Sequence, residues 1–417
     1  MKIKAAFITL VVIIFSWFIH VEDKVVESSP KFNSYIEEKR NNISTTTIII
    51  KKNVIDKVLA DDEKPLSVIS PTSTTDSNLS TTTEELVTHI KTPESVKAVY
   101  ISSWVAGTPS VRSRIVDLID KTELNAIVID VKDNTGVLSW DGRVKDLKEF
   151  IKELHEKNIY VIARISAFQD PAYVKIHPNL AVKNINTGDV WRDHKGVPWI
   201  DSGSMQMWQY LAEIGHKSYD MGFDELNYDY IRFPTDGKLS VMSFPVSGKR
   251  AVLDKRGIIK DFYKFLHDEF SVKSIPISGD VFGIILVNEN ETKTLGQDLR
   301  DALTYFDYVA PMVYPSHFYS GTNNFKNPAE HPGEIITYSM LGGLKLAQEV
   351  ASSTGWSTST VVNKLRPWYQ DFDMGATYTA EMVRAQIEAG YRLKINSWML
   401  WDPSNKYTPS ALKAGSF

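Results

Sequence analysis

An eightfold alternation of short apolar runs with amphipathic segments is the feature that most constrains how this chain folds. The apolar runs are rich in β-branched and aromatic residues, as buried strands are. They occupy residues 96–104, 126–133, 160–168, 223–234, 276–283, 307–315, 366–372 and 395–403. Strands separated by helices run parallel with right-handed crossovers, and eight such units close into a barrel. The sequence therefore predicts an α/β fold, a (β/α)8 TIM barrel over residues 96–417.

A doubly wound open sheet is the alternative with the same alternation. Neither G-x-G-x-x-G nor G-x-x-x-x-G-K-[ST] follows any of the runs, so its dinucleotide-binding and P-loop versions lack support. The units are also uneven in length, with extra residues at 169–203 after the third run. In a barrel this excess falls on the face that binds substrate.

The first 95 residues differ in composition and hydrophobic pattern from the rest. Lys2 and Lys4 precede an apolar run at residues 5–19, which predicts a signal anchor or a cleaved signal peptide at 1–21. No small-x-small cleavage pattern follows, which favours the uncleaved anchor. Residues 22–95 are predicted to be a Ser/Thr-rich disordered linker. The barrel is then expected to be extracytoplasmic and membrane-anchored, or secreted if the segment is cleaved.

Composition and motifs exclude several other classes of function. A net charge of −4 argues against nucleic acid as a partner, and the absence of cysteine removes thiol nucleophiles and cysteine zinc sites. A metal-dependent polysaccharide deacetylase would want paired histidines, but the histidines are spread singly and no H-E-x-x-H occurs. No G-x-S-x-G supports a serine esterase. We therefore expect no metal and no cofactor.

Acidic residues recur within the predicted strands and near their carboxyl ends. They are Asp130 and Asp133 in the second run, Glu225 and Asp229 in the fourth, Asp280 in the fifth, Asp371 in the seventh and Asp402 in the eighth. A carboxylate buried in a strand is costly unless it is paired or used, and barrel enzymes place their active sites at the carboxyl ends of the strands. The number of these acids points to catalysis more strongly than any single one does.

The fourth run supplies the best candidate for a catalytic carboxylate. Alternation puts Glu225, Asn227 and Asp229 on one face, with Asp229 nearest the active end. Arg232 follows, where its guanidinium could keep Asp229 ionised by direct pairing. Asp280 comes from the next strand and could face the same pocket. Glycosidic cleavage uses one ionised and one protonated carboxyl group. We predict Asp229 as nucleophile or base and Asp280 as general acid.

Supporting roles go to further side chains at the strand ends. Asp130 or Asp133 is the reserve candidate for the general acid, and Asp371 is a candidate for stabilising the transition state. Glu225 is a further possible supporting acid. Aromatic faces stack on sugar rings, while polar tips bond to hydroxyl groups. The predicted substrate-binding residues are Trp104, Tyr228, Tyr230, Arg232, Tyr314, His317, Trp368, Trp398 and Trp401.

The string GFDELNYDYIRFPTDG at residues 222–237 resembles a bacterial glycoside hydrolase family of TIM-barrel domains, long catalogued as a domain of unknown function. Further matches are VYISSW (99–104), IDVKD (129–133), SGDVFG (278–283), APMVYPSHFYSG (310–321) and SWMLWDPSN (397–405). The resemblance covers residues 96–405. It implies a (β/α)8 fold and carbohydrate hydrolysis, and carrying its pattern over points to Asp229 and Asp280.

Two functions follow as expectations. The first is a glycosidase that cleaves a cell-wall or extracellular polysaccharide by a two-carboxylate mechanism, with an oligosaccharide or polysaccharide as its partner. The second is a barrel that binds carbohydrate or anchors to the wall without catalysis, which would show the same strands and aromatic residues.

The strand-five acid is aspartate, shorter than the glutamate of many retaining barrels. This could widen the carboxyl separation toward the inverting range of about 6.5–9.5 Å.

Overall fold

The computed structural model describes residues 87–415, which contain a closed barrel of eight parallel strands. The strands in chain order are β1 (Lys97–Ile101), β2 (Ala126–Lys132), β3 (Tyr160–Ser166), β4 (Lys183–Asn184), β5 (Glu225–Asp229), β6 (Met242–Ser243), β7 (Ile277–Phe282), β8 (Tyr308–Met312), β9 (Trp368–Gln370) and β10 (Trp398–Trp401). Around the barrel the order is β1-β10-β9-β8-β7-β5-β3-β2. The predicted (β/α)8 barrel is confirmed, and the open doubly wound sheet is excluded.

Helices follow the strands and cover the outside of the barrel. They are α1 (Ser103–Ala106), α2 (Pro109–Lys121), α3 (Leu147–Glu156), α4 (Pro171–Ile176), α5 (Met205–Asp220), α6 (Arg250–Leu253), α7 (Lys255–Ser271), α8 (Glu289–Leu295), α9 (Leu299–Tyr305), α10 (Pro332–Thr354), α11 (Thr358–Val362) and α12 (Ala380–Arg392). The predicted amphipathic face of α3 is buried through Leu147, Phe150, Ile151 and Leu154. Such an apolar stripe packs a helix against the sheet.

Side chains alternate between two cores because successive strand residues point to opposite faces of the barrel wall. The outer core lies between strands and helices, and the inner core fills the barrel. The inner core includes Ala98, Val128, Ile162, Ala310 and Met399. The polar side chains of the interior lie at its two ends, with Glu225 at the start of β5 and Asp229 at its end.

Strands β4 and β6 lie outside the barrel in a two-stranded antiparallel sheet. Lys183 pairs with Ser243 and Asn184 with Met242, so the sheet joins the loop after β3 to the loop after β5. The indole of Trp191 in the first loop donates to the backbone oxygen of Lys238 in the second, at 3.1 Å. The predicted excess length at 169–203 therefore forms part of a joint insertion next to β3 and β5.

Residues 87–95 contact the amino end of the barrel. The backbone nitrogen of Ile90 donates to Asp224 at 2.7 Å, and the hydroxyl groups of Thr92 and Tyr160 lie 2.9 Å apart. Contacts with the barrel thus begin before residue 96, the predicted start of the domain. The predicted membrane segment at 1–21, and the predicted linker up to residue 86, lie outside the described residues. Between residues 87 and 415, no helix combines the length and apolar character that crossing a membrane requires.

Candidate active site

Arg164 connects the acids at the carboxyl end of the barrel. It lies in β3, beside Asp130 of β2 on one side and Asn227 of β5 on the other. Its Nη1 donates to Oδ1 of Asp130 at 2.6 Å, and its Nη2 donates to Oδ2 of Asp229. Its Nε lies 3.9 Å from Oδ2 of Asp280. One buried guanidinium therefore faces three carboxyl groups from β2, β5 and β7.

Arg232 does not pair with Asp229 as the sequence suggested. The backbone turns at Tyr230, whose φ of 54° is left-handed, and the following residues leave the barrel wall. The Arg232 guanidinium is enclosed between the rings of Trp199 and Phe282, at 4.8 and 4.7 Å. It also lies 3.3 Å from a carboxylate oxygen of Asp236. Arg232 thus packs beside the site, and the guanidinium that bonds directly to Asp229 is that of Arg164.

Asp229 accepts hydrogen bonds on both carboxylate oxygens. Oδ1 accepts the backbone N–H of Tyr230 at 2.5 Å, and Oδ2 accepts Arg164. Tyr230 itself has a left-handed backbone, and strained conformations of this kind cluster at functional sites. With one N–H and one guanidinium as partners, the side chain is suited to the ionised form.

Asp280 is in the opposite situation. Its side chain is buried, and burial raises the pKa of its carboxyl group to about 8, with the nearby Asp229 charge adding to the rise. Oδ1 accepts from Nδ2 of Asn227 and from Nε1 of Trp368, both at 2.9 Å. At neutral pH Asp280 is therefore predominantly protonated. Two carboxyl groups with different surroundings, Asp229 bonded directly to Arg164 and Asp280 bonded to Asn227 and Trp368, thus face the same guanidinium from neighbouring strands.

Asp130, a reserve candidate for the acid, is held on both oxygens. Besides Arg164 on Oδ1, the Tyr100 hydroxyl donates to Oδ2 at 2.6 Å. The Tyr100 ring in turn stacks on Trp401 at 3.9 Å. Burial raises the pKa of Asp130. Asp130 is thus part of the cluster, but its position suits holding Arg164 rather than meeting a substrate.

The other predicted acids lie apart from this cluster. Asp133 pairs with Arg143 outside the barrel interior, and Asp371 accepts from the backbone and hydroxyl of Thr408 at 2.9 and 2.7 Å. Burial raises the pKa of Asp371 to about 6. These two residues lie near the ends of β2 and β9. Neither shows a direct contact with Arg164, Asp229 or Asp280.

Glu225 faces the barrel interior at the amino end of the strands, opposite the candidate site. It is the first residue of β5, whereas the candidate site lies at the last. Its carboxylate pairs with Arg366 at 2.8 Å and accepts from the Tyr160 hydroxyl at 3.1 Å. This buried ion pair fills the amino end of the barrel, so the geometry does not support Glu225 as a catalytic acid.

Two predicted sugar-binding aromatic residues point outward instead. The Tyr228 hydroxyl donates to the backbone oxygen of Leu211 in α5, and Nε1 of Trp398 donates to Tyr391 in α12 at 3.0 Å. Both predictions were wrong for the same reason. Tyr228 alternates with the inward Asp229, and Trp398 alternates with Met399, which belongs to the inner core.

The remaining predicted aromatic residues lie at the active end with very different exposure. Trp104 is 66% exposed, with the Arg143 guanidinium 4.9 Å from its ring, and Trp401 is half-buried. Tyr314 is buried and packs against His317, with ring centroids 5.2 Å apart. Burial lowers the pKa of His317, which favours the neutral imidazole. Trp104 is therefore the best placed of these to stack on a sugar, since the Trp401 ring already stacks on Tyr100 and has the Arg164 guanidinium 4.9 Å from its centre.

Tyr230 and Trp368 complete the predicted set. The Tyr230 ring is half-buried, 6.0 Å from Trp199. Trp368 is only 1% exposed and bonds to Asp280, so it offers no open face for stacking. Arg164 and Tyr100 were missed by sequence reasoning. The charge of Arg164 within the apolar run YVIARISAF was the available signal, because the cost of burial that singled out the acids applies equally to a guanidinium.

Metal ligands and cavities bear on this assignment as well. Within residues 87–415, no three His, Asp or Glu side chains are grouped so that they could hold a metal ion.

A cavity of about 530 Å³ is lined by Glu94, Lys97, Glu123 and other residues at the amino ends of the strands. None of the three Arg164-linked acids lines it, and these acids lie towards the carboxyl ends of the strands instead.

Comparison with known proteins extends these observations. A family model described as "Putative glycosyl hydrolase domain" matches residues 98–407. The glycoside hydrolase domain of PgaB from Bordetella bronchiseptica aligns over 77% of this chain and 100% of its own, at 13% identity and a TM-score of 0.51. That likeness shows a shared fold.

Two further matches are partial or distant. A hypothetical protein from Ruminiclostridium thermocellum is 33% identical over 44% of this chain and 97% of its own, with a TM-score of 0.39. A chitinase catalytic domain from Pyrococcus furiosus is 12% identical over 78% of this chain and 91% of its own, with a TM-score of 0.47. No curated protein matches this chain.

Proposed function

Because the chain belongs to this family of glycosyl hydrolase domains, we propose that it cleaves glycosidic bonds of a cell-wall or extracellular polysaccharide by a two-carboxylate mechanism. Asp280 is the general acid, and Asp229 is the nucleophile or base. The observation that carries the proposal is the contrast between two carboxyl groups near one guanidinium. Burial raises the pKa of Asp280, whereas Asp229 bonds directly to Arg164.

The different surroundings of Asp280 and Asp229 match the two roles that glycoside hydrolysis requires, a proton donor and an ionised carboxylate. Asp280 gives its proton to the glycosidic oxygen as the bond to the anomeric carbon breaks. Asp229 either attacks that carbon or removes a proton from the attacking water. Attack requires carboxyl groups about 5–5.5 Å apart, and activation of water requires about 6.5–9.5 Å. After direct attack, water cleaves the Asp229–glycosyl ester and returns a proton to Asp280. On either route the net result is one hydrogen of water on the leaving group and the hydroxyl group on the sugar.

Arg164 supports the ionised member of the pair. Its Nη2 bonds to Asp229, while Nε stays 3.9 Å from Asp280 and has no hydrogen-bond partner within the described chain. A guanidinium bonded to one carboxyl group and displaced from the other favours ionisation of the first. The proposal thus assigns different protonation states to two aspartates without invoking a metal.

The test is release of reducing ends from a panel of cell-wall and extracellular polysaccharides by the purified chain. Asp229→Asn and Asp280→Asn should each lower the rate by about 100-fold or more. The matched control is Asp146→Asn, since Asp146 pairs with Arg112 on the outside of the barrel. Full activity in either site variant would refute its role. Binding of several glycans with cleavage of none would favour the non-catalytic barrel.

The location of the substrate rests on the predicted anchor at residues 1–21. The absence of cysteine makes a clean test possible, because one introduced thiol has no background. Ser352→Cys on the exposed surface of α10 should react in intact cells with a membrane-impermeant maleimide. Reaction only after lysis would place the barrel in the cytoplasm and overturn this part of the proposal.

A further inference from the structure

Two N–H groups from different strands converge on one oxygen of the proposed acid. We propose that Trp368 and Asn227 are positioning residues that hold Oδ1 of Asp280, so that its acidic proton resides on Oδ2. This inference rests on the proposed function and extends it to residues that do not touch the reacting atoms. It also replaces the expected sugar-stacking role of Trp368.

The geometry fixes which oxygen carries the proton. Nδ2 of Asn227 and Nε1 of Trp368 each lie 2.9 Å from Oδ1, and both groups can only donate. An oxygen that accepts two N–H donors has no room for its own proton pointing at either of them. Oδ2 accepts neither of these donors and lies 3.9 Å from Nε of Arg164, so it is the position open to the proton. Proton transfer to a glycosidic oxygen would start from Oδ2.

Both donors are themselves held in place. Asn227 lies in register with Ser278 of the neighbouring strand, and its Nδ2 also contacts the Ser278 hydroxyl at 3.1 Å. Trp368 is 1% exposed and packs edge-on against Trp401, with ring centroids 5.7 Å apart. A buried ring in this position cannot present a face to a sugar. Its indole nitrogen is the part that acts on the site.

The charges around Asp280 give the two donors a second effect. Arg164 and Asp229 face it from β3 and β5, and the Tyr314 hydroxyl group is close enough to feel its charge. Burial and the Asp229 charge raise the pKa of Asp280, whereas Arg164 and the bonds from Asn227 and Trp368 lower it. Without the two N–H donors the acid would hold its proton more tightly. The donors therefore keep it transferable.

The experiment follows the titration of Asp280 by ¹³C NMR in the full chain, with aspartate labelled at its carboxyl carbon and the resonance assigned by its loss in Asp280→Asn. Trp368→Phe keeps a ring but removes the N–H, and Asn227→Ala removes the other donor. Each variant should raise the titration midpoint by about one pH unit, because a hydrogen bond to the charged form is lost. Trp398→Phe is the matched control, since it also removes a buried indole N–H, but one that bonds to Tyr391 in α12 rather than to Asp280.

Kinetics on any cleaved glycan separate positioning from substrate stacking. Trp368→Phe should lower kcat about 10-fold with little change in KM, and the alkaline limb of the pH profile should move upward. Trp104→Ala, at the exposed aromatic residue, should instead raise KM. A raised KM with an unchanged Asp280 midpoint in Trp368→Phe would return Trp368 to substrate binding and overturn the inference.

The two proposals can fail separately. An unmoved midpoint in both donor variants overturns the positioning role whether or not the wild-type chain cleaves a glycan. Should Trp368→Phe not fold, Asn227→Ala decides alone. Shifted midpoints in a chain that cleaves nothing would refute the proposed hydrolase while supporting the positioning role.

Discussion

Nε of Arg164 lies 3.9 Å from Oδ2 of Asp280, close enough to feel its charge but without a hydrogen bond. The same guanidinium bonds directly to Asp130 and Asp229. The cation is thus committed to two carboxylates and only partly offsets the burial of the third. In the proposed mechanism, this unequal sharing is what allows one barrel end to hold a protonated Asp280 and an ionised Asp229 together.

The first prediction concerns the pH dependence of stability. The folded-state pKa of Asp280 is raised from about 4 to about 8, so the stability associated with its proton is present at acid pH and lost as the pH rises through about 8. Asparagine mimics the protonated form and has no such loss. Between about pH 4 and 8, the free energy of unfolding of the wild type should fall relative to that of Asp280→Asn by on the order of 1 kcal/mol per pH unit. Urea denaturation across that range measures it.

A control of opposite sign accompanies this test. Arg112 lowers the pKa of Asp146, so Asp146→Asn should be destabilised at neutral pH, and the difference from wild type should shrink in acid. If the advantage of Asp280→Asn stays constant with pH, Asp280 does not hold a proton in the folded state.

The second prediction contrasts the two buried arginines of the barrel interior. Arg164→Gln leaves Asp130 and Asp229 without their cation, and Arg366→Gln leaves Glu225 at the amino end with the Tyr160 hydroxyl but without its cation. Each should lower the free energy of unfolding by about 3–5 kcal/mol, since each strands a buried carboxylate. Chemical denaturation at neutral pH compares the two variants.

The Arg164→Gln and Arg366→Gln variants should differ in their effects on the titration of Asp280. Only Arg164 faces Asp280, so Arg164→Gln should raise the Asp280 titration midpoint while Arg366→Gln leaves it where it is. Equal midpoints in both variants would show that Arg164 does not influence the acid.

The third prediction separates exposed from buried tryptophan. Trp104 is 66% exposed and Trp398 is fully buried among the helices. Trp398→Ala should cost about 3–5 kcal/mol of stability, whereas Trp104→Ala should cost little. Among variants that remain folded, Trp104→Ala should weaken binding of long oligosaccharides, as measured by calorimetry. Unchanged binding would remove Trp104 from the substrate-binding set.

The fourth prediction concerns where the folded domain begins. Removing residues before 96 takes away the Ile90 N–H that Asp224 accepts and the Thr92 hydroxyl beside Tyr160. A chain of residues 96–417 should be less stable than one of residues 84–417 by about 1–3 kcal/mol, because buried polar groups lose their partners. Thermal denaturation of the two chains makes the comparison. Identical midpoints would mean that residues 84–95 add nothing.

Strand number and order were predictable because hydrophobic periodicity is local. Each apolar run contains a barrel strand, although the strands are shorter than the runs, as Glu225–Asp229 is within 223–234. The grouping of Asp130, Asp229 and Asp280 near one another followed from their places at the strand ends. Their catalytic roles remain predictions.

The partners of these acids could not be read from the sequence. Arg164 meets Asp130 and Asp229 because of the register between β2, β3 and β5, and register depends on packing between strands. Arg232 was favoured since it is near Asp229 along the chain, but the left-handed turn at Tyr230 carries it away. The orientations of Tyr228 and Trp398, by contrast, were available from alternation.

The left-handed backbone at Tyr230 has an evolutionary consequence. A residue with a Cβ atom pays roughly 1–2 kcal/mol to adopt this conformation, whereas glycine does not. A randomised library at this position, sorted only for thermal robustness, should enrich glycine and asparagine. Sorting the same library for catalytic turnover should enrich the side chain that catalysis requires. The difference in thermal stability between the two selected variants would measure the stability that this position has lost in favour of function.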